Sequence, residues 1–402
     1  DGNIGRPSDR IDVFADGVDA TSVSTDEQLL TTNGNAYARY TAGFNATNGT
    51  GTLTDPYTEG LQATIDELSG NYPTSAPKIV EVDGSFDESV TLSGQAQTLF
   101  ADNWHNRIRA TDSENAHAIH YTGQDTFLDR VWADQDDTSG SYDAVRVDGG
   151  SEELFIRDMP AEGSGSNRDL FSFSNTQEVK MENCHTQGAG RYALRMSDCE
   201  RMQIDTFDAA SEILITDADG GVDEIELTNW NIRGPITFEQ TGGGRVDHAH
   251  GTSIYSNDEI TLDCTYSTFS SIQSFGSPSD GIVMDGSNNV AVAGGVAVNA
   301  SGTDLVLADT TAAIFLGRAG SVDIQSSASR SLIWGYFDSV TNNGDRCVVN
   351  GNSTNNGDPS ASEGQWANDA ALAYRLGATV WDISTRPATP YRGGPAGSWV
   401  AI

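Results

Sequence analysis

Short apolar-x-apolar triplets recur along this 402-residue chain at a nearly constant spacing. The steps between the first residues of successive triplets are 26, 26, 23, 19, 23, 24, 22 and 23 residues. Alternation with a period of two indicates strands with one buried side, and strands this short cannot bury that side alone. The repeat therefore indicates a solenoid, in which neighbouring coils cover one another. The triplets are Ile119–Tyr121, Val145–Val147, Phe171–Phe173, Leu194–Met196, Ile213–Ile215, Ile236–Phe238, Ile260–Leu262, Ile282–Met284 and Leu305–Leu307.

A second triplet follows most of the first ones, as Leu154–Ile156 and Val179–Met181 do. A β-sandwich or a propeller is the alternative, but a sandwich needs hairpin signals at short, even intervals, and the turns here are uneven. The sequence thus predicts an all-β parallel β-helix of about ten coils of about 23 residues, right-handed by analogy with known folds of this type.

The chain is strongly acidic, with 58 acidic and 22 basic residues and a formal net charge of −36. Aspartate outnumbers glutamate by 40 to 18, and Lys78 and Lys180 are the only lysines. Self-repulsion of this size opposes a compact state at low salt, whereas in molar salt the Debye length falls to about 3 Å. The composition resembles that of proteins from halophilic archaea and their viruses. It argues against nucleic acid as a partner, because the phosphates would be repelled.

Neither the cysteines nor the hydropathy pattern indicates a special site. No apolar run is long enough to span a membrane. No cofactor is predicted. If the carboxylate-rich coils bind an ion, we expect it to be Ca²⁺ or another divalent cation. The four cysteines show no Cys-x-x-Cys spacing, which predicts small buried thiols: Cys184, Cys199, Cys264 and Cys347.

Three parts are predicted along the chain. Residues 1–52 are polar, with Gly and Asn clusters, and predict an arm or attachment segment. Residues 53–345 hold the repeat and open with an amphipathic helix at 57–69. Residues 346–402 predict a linker followed by a small β module. The apolar face of the helix comprises Leu61, Ile65 and Leu68.

The opening of the repeat resembles that of the pectate-lyase-like β-helix superfamily. The resemblance rests on Leu61–Leu68, on Lys78–Phe86 and on Val90–Ser93. It implies that the helix caps the solenoid, whose open end would otherwise expose apolar side chains and strand edges. That superfamily includes polysaccharide lyases, glycosidases and viral tailspikes and tail fibres, so the fold alone does not choose a function. The end of the chain is similar to C-terminal segments of tail-associated viral proteins, at Val380–Asp382, Tyr391–Arg392 and Gly397–Val400.

Candidate catalytic residues are hard to single out, because carboxylate clusters arise here from composition alone. The first place to look is a face with Asp205, Asp208, Asp247 and His248, which neighbouring coils would bring together. His248 and His250, at i and i+2 of a strand, would point the same way, so with Asp247 they are candidate metal ligands. A turn with solvated histidines is the alternative. The catalytic motifs of polygalacturonases and pectate lyases are absent, which favours a role without catalysis.

Aromatic side chains on the outside of a coil can stack on sugar rings. They can equally seal the coils or an interface between subunits. The candidates for glycan binding are Trp132, Trp230, Tyr255 and Trp334.

Together these features predict an extracellular spike or fibre on the virion surface of a halophilic archaeal virus, which recognises a host glycan or glycoprotein. A polysaccharide lyase or glycosidase, and a structural or decorating protein without a ligand, are the alternatives. The outward triplet residues Arg146, Ser172, Arg195 and Ala291 are not uniformly acidic, which favours side-by-side assembly into a homotrimer. The N-terminal arm would contact other virion proteins.

Overall fold

The computed structural model describes strands at 30–32 and 35–41, helical residues at 61–62 and 65–66, and most of 78–353. It also describes strands at 379–382, 389–393 and 399–401. The gaps within 78–353 are 84, 102–105, 111–115, 137–140, 150–151, 165–166, 218–219 and 242–243. The chain divides into two compact units, Asp1–Glu226 and Leu227–Ile402.

The first unit is built from short strands. A hairpin of β1 and β2 is antiparallel, and the other pairings described within this unit are parallel. Its strands are β1 (Leu30–Thr32), β2 (Asn35–Thr41), β3 (Lys78–Asp83), β4 (Ser85–Asp87), β5 (Val90–Leu92), β6 (Gln97–Ala101), β7 (Arg107–Ala110), β8 (Ile119–Tyr121), β9 (Gln124–Asp129), β10 (Trp132–Gln135), β11 (Val145–Val147), β12 (Glu152–Arg157), β13 (Pro160–Ser164), β14 (Asp169–Ser174), β15 (Gln177–Ala189), β16 (Tyr192–Ser197), β17 (Glu200–Ala209) and β18 (Glu212–Asp217), with β19 (Asp223–Ile232) running across the boundary between the units.

Each coil contributes a strand to each of three sides. The predicted triplets form the first side, where Ile119, Val145, Phe171, Leu194 and Ile213 are successive partners in register. The second side comprises β3, β6, β9, β12 and the first parts of β15 and β17, and the third comprises β4, β7, β10, β13 and the second part of β15. The prediction of a right-handed parallel β-helix is confirmed.

A residue with positive φ marks the corner between the second and third sides. Asp158, Asn183 and Thr206 occupy this corner in successive coils with φ of 51°, 52° and 57°. Asn and Asp tolerate the left-handed region better than other residues with a side chain. The Asn183 amide also donates to Asp158 Oδ1 at 2.6 Å, so the corner is tied from coil to coil.

Apolar side chains from all three sides fill the interior. Phe171 and Phe207 are at most 1% exposed and meet edge to face at 6.1 Å. The cysteines are free and buried, as predicted. Burial raises the pKa of the Cys184 thiol to about 12 and that of Cys199 to about 11, so these thiols stay protonated and unreactive.

The predicted helix contacts the first coil. Leu61 and Ile65 are helical and buried. The Glu88 carboxylate accepts hydrogen bonds from the Leu61 and Gln62 N–H groups at 2.8 and 2.7 Å, which satisfies donors that a helix start leaves unpaired. The Gln62 amide accepts from Thr91 N and donates to Thr91 O, so it occupies the free edge of β5 as a neighbouring strand would.

Beyond these contacts, the predicted outer segments are described only in part. Residues 35–41, within the predicted arm, pair in parallel with β3. The rest of 1–52, Leu68 and the predicted linker from 354 to 378 lie outside the described residues. None of the helical residues described belongs to a helix that is long and apolar enough to cross a membrane.

The second unit also consists of stacked coils with parallel strand pairing. Its strands pair from coil to coil in two series. Ile236, Ile260, Ile282 and Leu305 pair in register, which again confirms the predicted triplets. The three C-terminal strands form a separate antiparallel sheet. The strands are β20 (Ile236–Gln240), β21 (Ala249–Ser256), β22 (Ile260–Leu262), β23 (Thr268–Phe275), β24 (Ile282–Asp285), β25 (Ala291–Val298), β26 (Leu305–Ala308), β27 (Ile314–Ile324), β28 (Leu332–Asn342), β29 (Val348–Ser353), β30 (Thr379–Asp382), β31 (Thr389–Gly393) and β32 (Trp399–Ala401).

Candidate functional site

The outer surface of the first side carries a column of polar residues, one from each coil. His120, Arg146, Ser172 and Arg195 are the middle residues of consecutive triplets and are partners in register. Their neighbours along each strand are buried, which turns these four side chains away from the core. His120, Arg146 and Arg195 are half-buried, whereas Ser172 is covered and only 1% exposed. Adjacent coils are about 4.8 Å apart, so the column extends over about 15 Å. We call this surface, together with its flanking residues His117, Asp143, Asp148, Asp169 and Arg191, the arginine face.

Arg146 lies at the centre of a hydrogen-bonded network. Its guanidinium donates to Asp148 Oδ2 at 2.8 Å and to Ser172 Oγ at 2.9 Å. His120 Nε2 lies 3.3 Å from Asp148 Oδ2. Although burial acts in the opposite direction, the hydrogen bonds from His120 and Arg146 hold the pKa of Asp148 well below its usual range. The Asp148 carboxylate therefore stays ionised and fixes the positions of Arg146 and His120.

A second ion pair lies on the next coils. Asp169 is 1% exposed and accepts two hydrogen bonds from Arg191, both at 2.9 Å. Arg195 lies 3.9 Å from the same carboxylate, which is too long for a hydrogen bond. No hydrogen bond of Arg195 to a described residue is found, and its side chain is 35% exposed. Arg195 thus keeps guanidinium donors that the fold does not use.

An acid and a base with displaced pKa values sit beside this column. Burial raises the pKa of Asp143 to about 6, against the opposing effect of its hydrogen bond from Asp169 N–H. Burial, with the neighbouring His120 and Arg146, lowers the pKa of His117 to about 4. The His117 ring also meets the Tyr142 ring edge to face at 5.5 Å.

This arrangement can do two kinds of chemistry. Guanidinium groups recognise carboxylates and sulfates through paired hydrogen bonds, and the neighbouring His120 imidazole can bond sugar hydroxyls. An acid that is half protonated near pH 6 is also suited to proton transfer. The role of this face is not visible in the sequence, because its column residues lie 23 to 26 residues apart and meet only across coils.

The candidate carboxylates of the first unit lie on two different sides. Asp205 pairs in register with Glu182 on the second side, and Asp208 pairs with His185 on the third. Thr206, with φ of 57°, turns the strand between them. The expectation that Asp205 and Asp208 share one face is therefore wrong, because the coil has a corner at that position.

The candidate metal ligands of the second unit belong to a turn ladder. Asp247 forms the first of a series of parallel bridges, and His248 follows it with φ of 49°. His248 and His250 are both exposed, as expected; His248 stacks on Tyr266 at 5.9 Å, and His250 Nδ1 lies 2.7 Å from Thr268 Oγ1. Among the described residues, no three His, Cys, Asp or Glu side chains are grouped as a metal ion would require. The geometry is that of a turn with solvated histidines.

The aromatic candidates differ in exposure. Trp230 is 1% exposed, so its ring packs in the core and offers no face to a sugar. Trp132 and Tyr255 are half-buried, and Trp334 is 56% exposed.

Trp334 stands in an apolar surface of the second unit. It is in register with Leu316, while Ile314 precedes Leu316 by two residues and Tyr336 follows Trp334 by two. A Cβ on Gly335 would overlap the carbonyl oxygen of Gly317, so this close approach of neighbouring coils requires glycine. We call the surface of Ile314, Leu316, Trp334 and Tyr336 the apolar face; these side chains are 37–56% exposed.

Comparison with known proteins concerns the fold. No protein-family model matches the chain, and no curated protein matches it in sequence. The A-module of the Azotobacter vinelandii mannuronan C-5 epimerase AlgE6 has a TM-score of 0.47 and 12% identity, over 73% of this chain and 91% of that one. A polygalacturonase from Erwinia carotovora ssp. carotovora has a TM-score of 0.43 and 9% identity, over 74% and 93%.

Tailspike protein 3 of bacteriophage CBA120 has a TM-score of 0.40 and 11% identity, over 85% of this chain and 65% of that one. At these values none of the neighbours says which ligand or reaction this chain has. The likeness of these structures to this chain is one of fold, at sequence identities of 9–12%.

Proposed function

We propose that this protein is a surface protein that binds an acidic glycan on its arginine face. The observation that carries the proposal is Arg195, whose side chain is partly exposed, whose Nε is buried, and which makes no hydrogen bond to a described residue. His120 and Arg146 continue the same column and are half-buried, so successive sugar residues would meet imidazole and cationic groups, while the buried Ser172 holds Arg146 in place. At molar salt, screening would reduce the repulsion between an anionic glycan and a chain of net charge −36.

More specifically, we propose a spike or fibre on the virion of a halophilic archaeal virus, with a host glycan or surface glycoprotein as its partner. The Asp-rich, Lys-poor composition supports the halophilic setting. The N-terminal segment would then attach the protein to other virion components, and the apolar face would join subunits into a homotrimer.

A polysaccharide-cleaving enzyme is the second candidate. Asp143, with its pKa of about 6, lies beside His117, and Tyr142 lies against that ring. Such a group could transfer a proton during lysis or hydrolysis.

One experiment separates these functions. The purified protein is incubated in molar salt with acidic glycan from a haloarchaeal envelope, and both binding and release of reducing ends or unsaturated uronates are followed. The proposal expects saturable binding without turnover, weakened about tenfold or more in Arg195→Met and little changed in Arg318→Met, an exposed arginine of the second unit. Turnover lost in Asp143→Asn would support the enzyme, and turnover lost in Asp247→Asn or His248→Ala would move the site to the second unit. Neither binding nor turnover would leave a purely structural role.

Stability should depend on salt. Because 58 carboxylates face 22 basic groups, lowering the salt far below molar lengthens the range of their repulsion and should lower the melting temperature. Melting followed by circular dichroism at about 0.1 M and 3 M salt tests this. An unchanged melting temperature would remove the argument for a halophilic source.

The apolar face should hold subunits together. Leu316→Glu would place a charge among Ile314, Trp334 and Tyr336 and should convert the trimer into monomers, as measured by sedimentation velocity at about 3 M salt. Val283→Glu, on the outer surface of β24, is the matched control and should leave the assembly intact. A wild-type protein that sediments only as a monomer would contradict the trimer.

A further inference from the structure

The third side of the first unit carries a different polar surface. One column of this surface consists of residues that are partners in register in successive coils: Arg107, Trp132, Pro160 and His185. Pro160 lies opposite Trp132 because the next residues along the two strands, Ala133 and Ala161, pair with each other. Beside them runs a second column of Arg109, Asp134, Glu162 and Gln187. We call this surface the tryptophan face.

One carboxylate of this face is neutralised within the fold. Arg107 Nη1 and Arg109 Nε both donate to Asp134 Oδ2, at 3.1 and 3.0 Å. Asp134 is also 7% exposed, so it is a structural anchor for the two arginines and has little contact with solvent. Both arginines are in turn held in place by their hydrogen bonds to Asp134.

Glu162, the next residue in the column, is in a different situation. It is in register with Asp134, it is half-buried, and no hydrogen bond or ion pair of Glu162 to a described residue is found. Burial and the neighbouring Asp134 raise its pKa. The carboxyl oxygens of Glu162 therefore have no hydrogen-bond partner among the described residues. The neighbouring Asp134 also makes a negative charge on Glu162 unfavourable.

Trp132 and Gln187 flank Glu162 on the adjoining coils. Trp132 is half-buried and stands one coil before Glu162, next to the position of Asp134. Gln187 is exposed, stands one coil after it, and lies 3.3 Å from the His185 ring nitrogen. Two coil spacings make about 10 Å, so an indole, a carboxyl and an amide are within the span of one or two sugar rings.

These groups suit an uncharged sugar. The apolar C–H face of a pyranose packs on an aromatic ring, while its hydroxyls need both donors and acceptors, which the carboxyl and the amide supply. An acidic sugar is disfavoured, because Glu162 would repel its carboxylate and the two arginines of this face are bonded to Asp134. We propose that the tryptophan face is a second glycan site, selective for neutral hexopyranoses and independent of the arginine face.

The test compares two classes of probe with variants of the two faces. Maltohexaose, cellohexaose and mannohexaose serve as neutral probes, and an oligoglucuronate serves as the acidic one, each titrated by calorimetry in molar salt. Trp132→Ala should weaken binding of at least one neutral probe about tenfold, while Trp132→Phe, which keeps a ring, should retain most of it. Glu162→Gln should weaken the same probe without lowering the melting temperature, and Arg195→Met should leave binding of that probe unchanged.

Each outcome decides between the two sites. Loss of the acidic probe alone in Arg195→Met, with loss of the neutral probe alone in Glu162→Gln, supports two independent sites. If no neutral probe binds the wild-type protein at millimolar concentration, or if Trp132→Ala and Glu162→Gln bind it as tightly as the wild type does, the second site does not exist. Those results would not affect the arginine face, because they involve none of its residues.

Discussion

Arg191→Met should lower the free energy of unfolding by about 1–3 kcal/mol, less than for a fully buried pair because the Arg191 side chain is 42% exposed. The substitution keeps a long apolar stem but removes the two 2.9 Å hydrogen bonds to Asp169. Asp169 is 1% exposed, so its carboxylate would remain buried without a close cation; Arg195, at 3.9 Å, replaces little of what is lost. Urea denaturation in molar salt measures the change.

A double variant separates the ion pair from packing. Asp169→Asn combined with Arg191→Met removes the stranded charge and should recover most of the loss. Arg318→Met, where the guanidinium is exposed, should cost less than about 0.5 kcal/mol. A loss for Arg191→Met no larger than that for Arg318→Met would show that the Asp169 carboxylate is not buried as the structure places it.

Asp143→Asn should stabilise the protein more at pH 7 than at pH 4. The pKa of Asp143 rises to about 6 in the folded chain, above its ordinary value, because burial disfavours the carboxylate. The folded state therefore favours the protonated acid, a contribution that is present below pH 4 and is lost as the pH rises through about 6. Asparagine removes that loss, and a shift of about two pKa units corresponds to about 3 kcal/mol.

The stability of Asp143→Asn must be compared with that of the wild type at each pH, because His117 has the opposite effect on the pH dependence of stability. Its pKa falls to about 4, so the folded state loses stability as the pH drops below 6.5, and the two effects partly cancel in the wild-type profile. Denaturation midpoints of the wild type and Asp143→Asn at pH 4, 5, 6 and 7 isolate the Asp143 contribution. A difference between the two proteins that does not change with pH would contradict the burial of Asp143.

The fold was predictable because its signal is periodic. Ile119, Val145 and Phe171 lie one coil apart in sequence and pair in register, so the spacing of the triplets equals the length of a coil. The helix before the first coil was also predictable from the spacing of Leu61 and Ile65. Its contact with the β5 edge through Gln62 was not, because a side chain that imitates a strand leaves no periodic signal.

The site was less predictable for two physical reasons. The residues of the arginine face meet across coils, and Arg146, Ser172 and Arg195 were recognised from the sequence only as outward positions. The pKa of Asp143 depends on burial, which no local motif encodes. Conversely, the closeness of Asp205 and Asp208 in sequence was misleading, because Thr206 turns the chain from one side of the coil to the next.

Hydrogen exchange with a bound acidic oligosaccharide tests the location of the glycan site most directly. Amide exchange of the wild-type protein is measured by mass spectrometry in molar salt, with and without an oligoglucuronate at saturating concentration. We expect slower exchange in peptides that contain Val145–Val147, Asp169–Ser174 and Tyr192–Ser197, and no such protection in Arg195→Met. Protection confined to other parts of the chain, or unchanged protection in Arg195→Met, would contradict the assignment of the glycan to the arginine face.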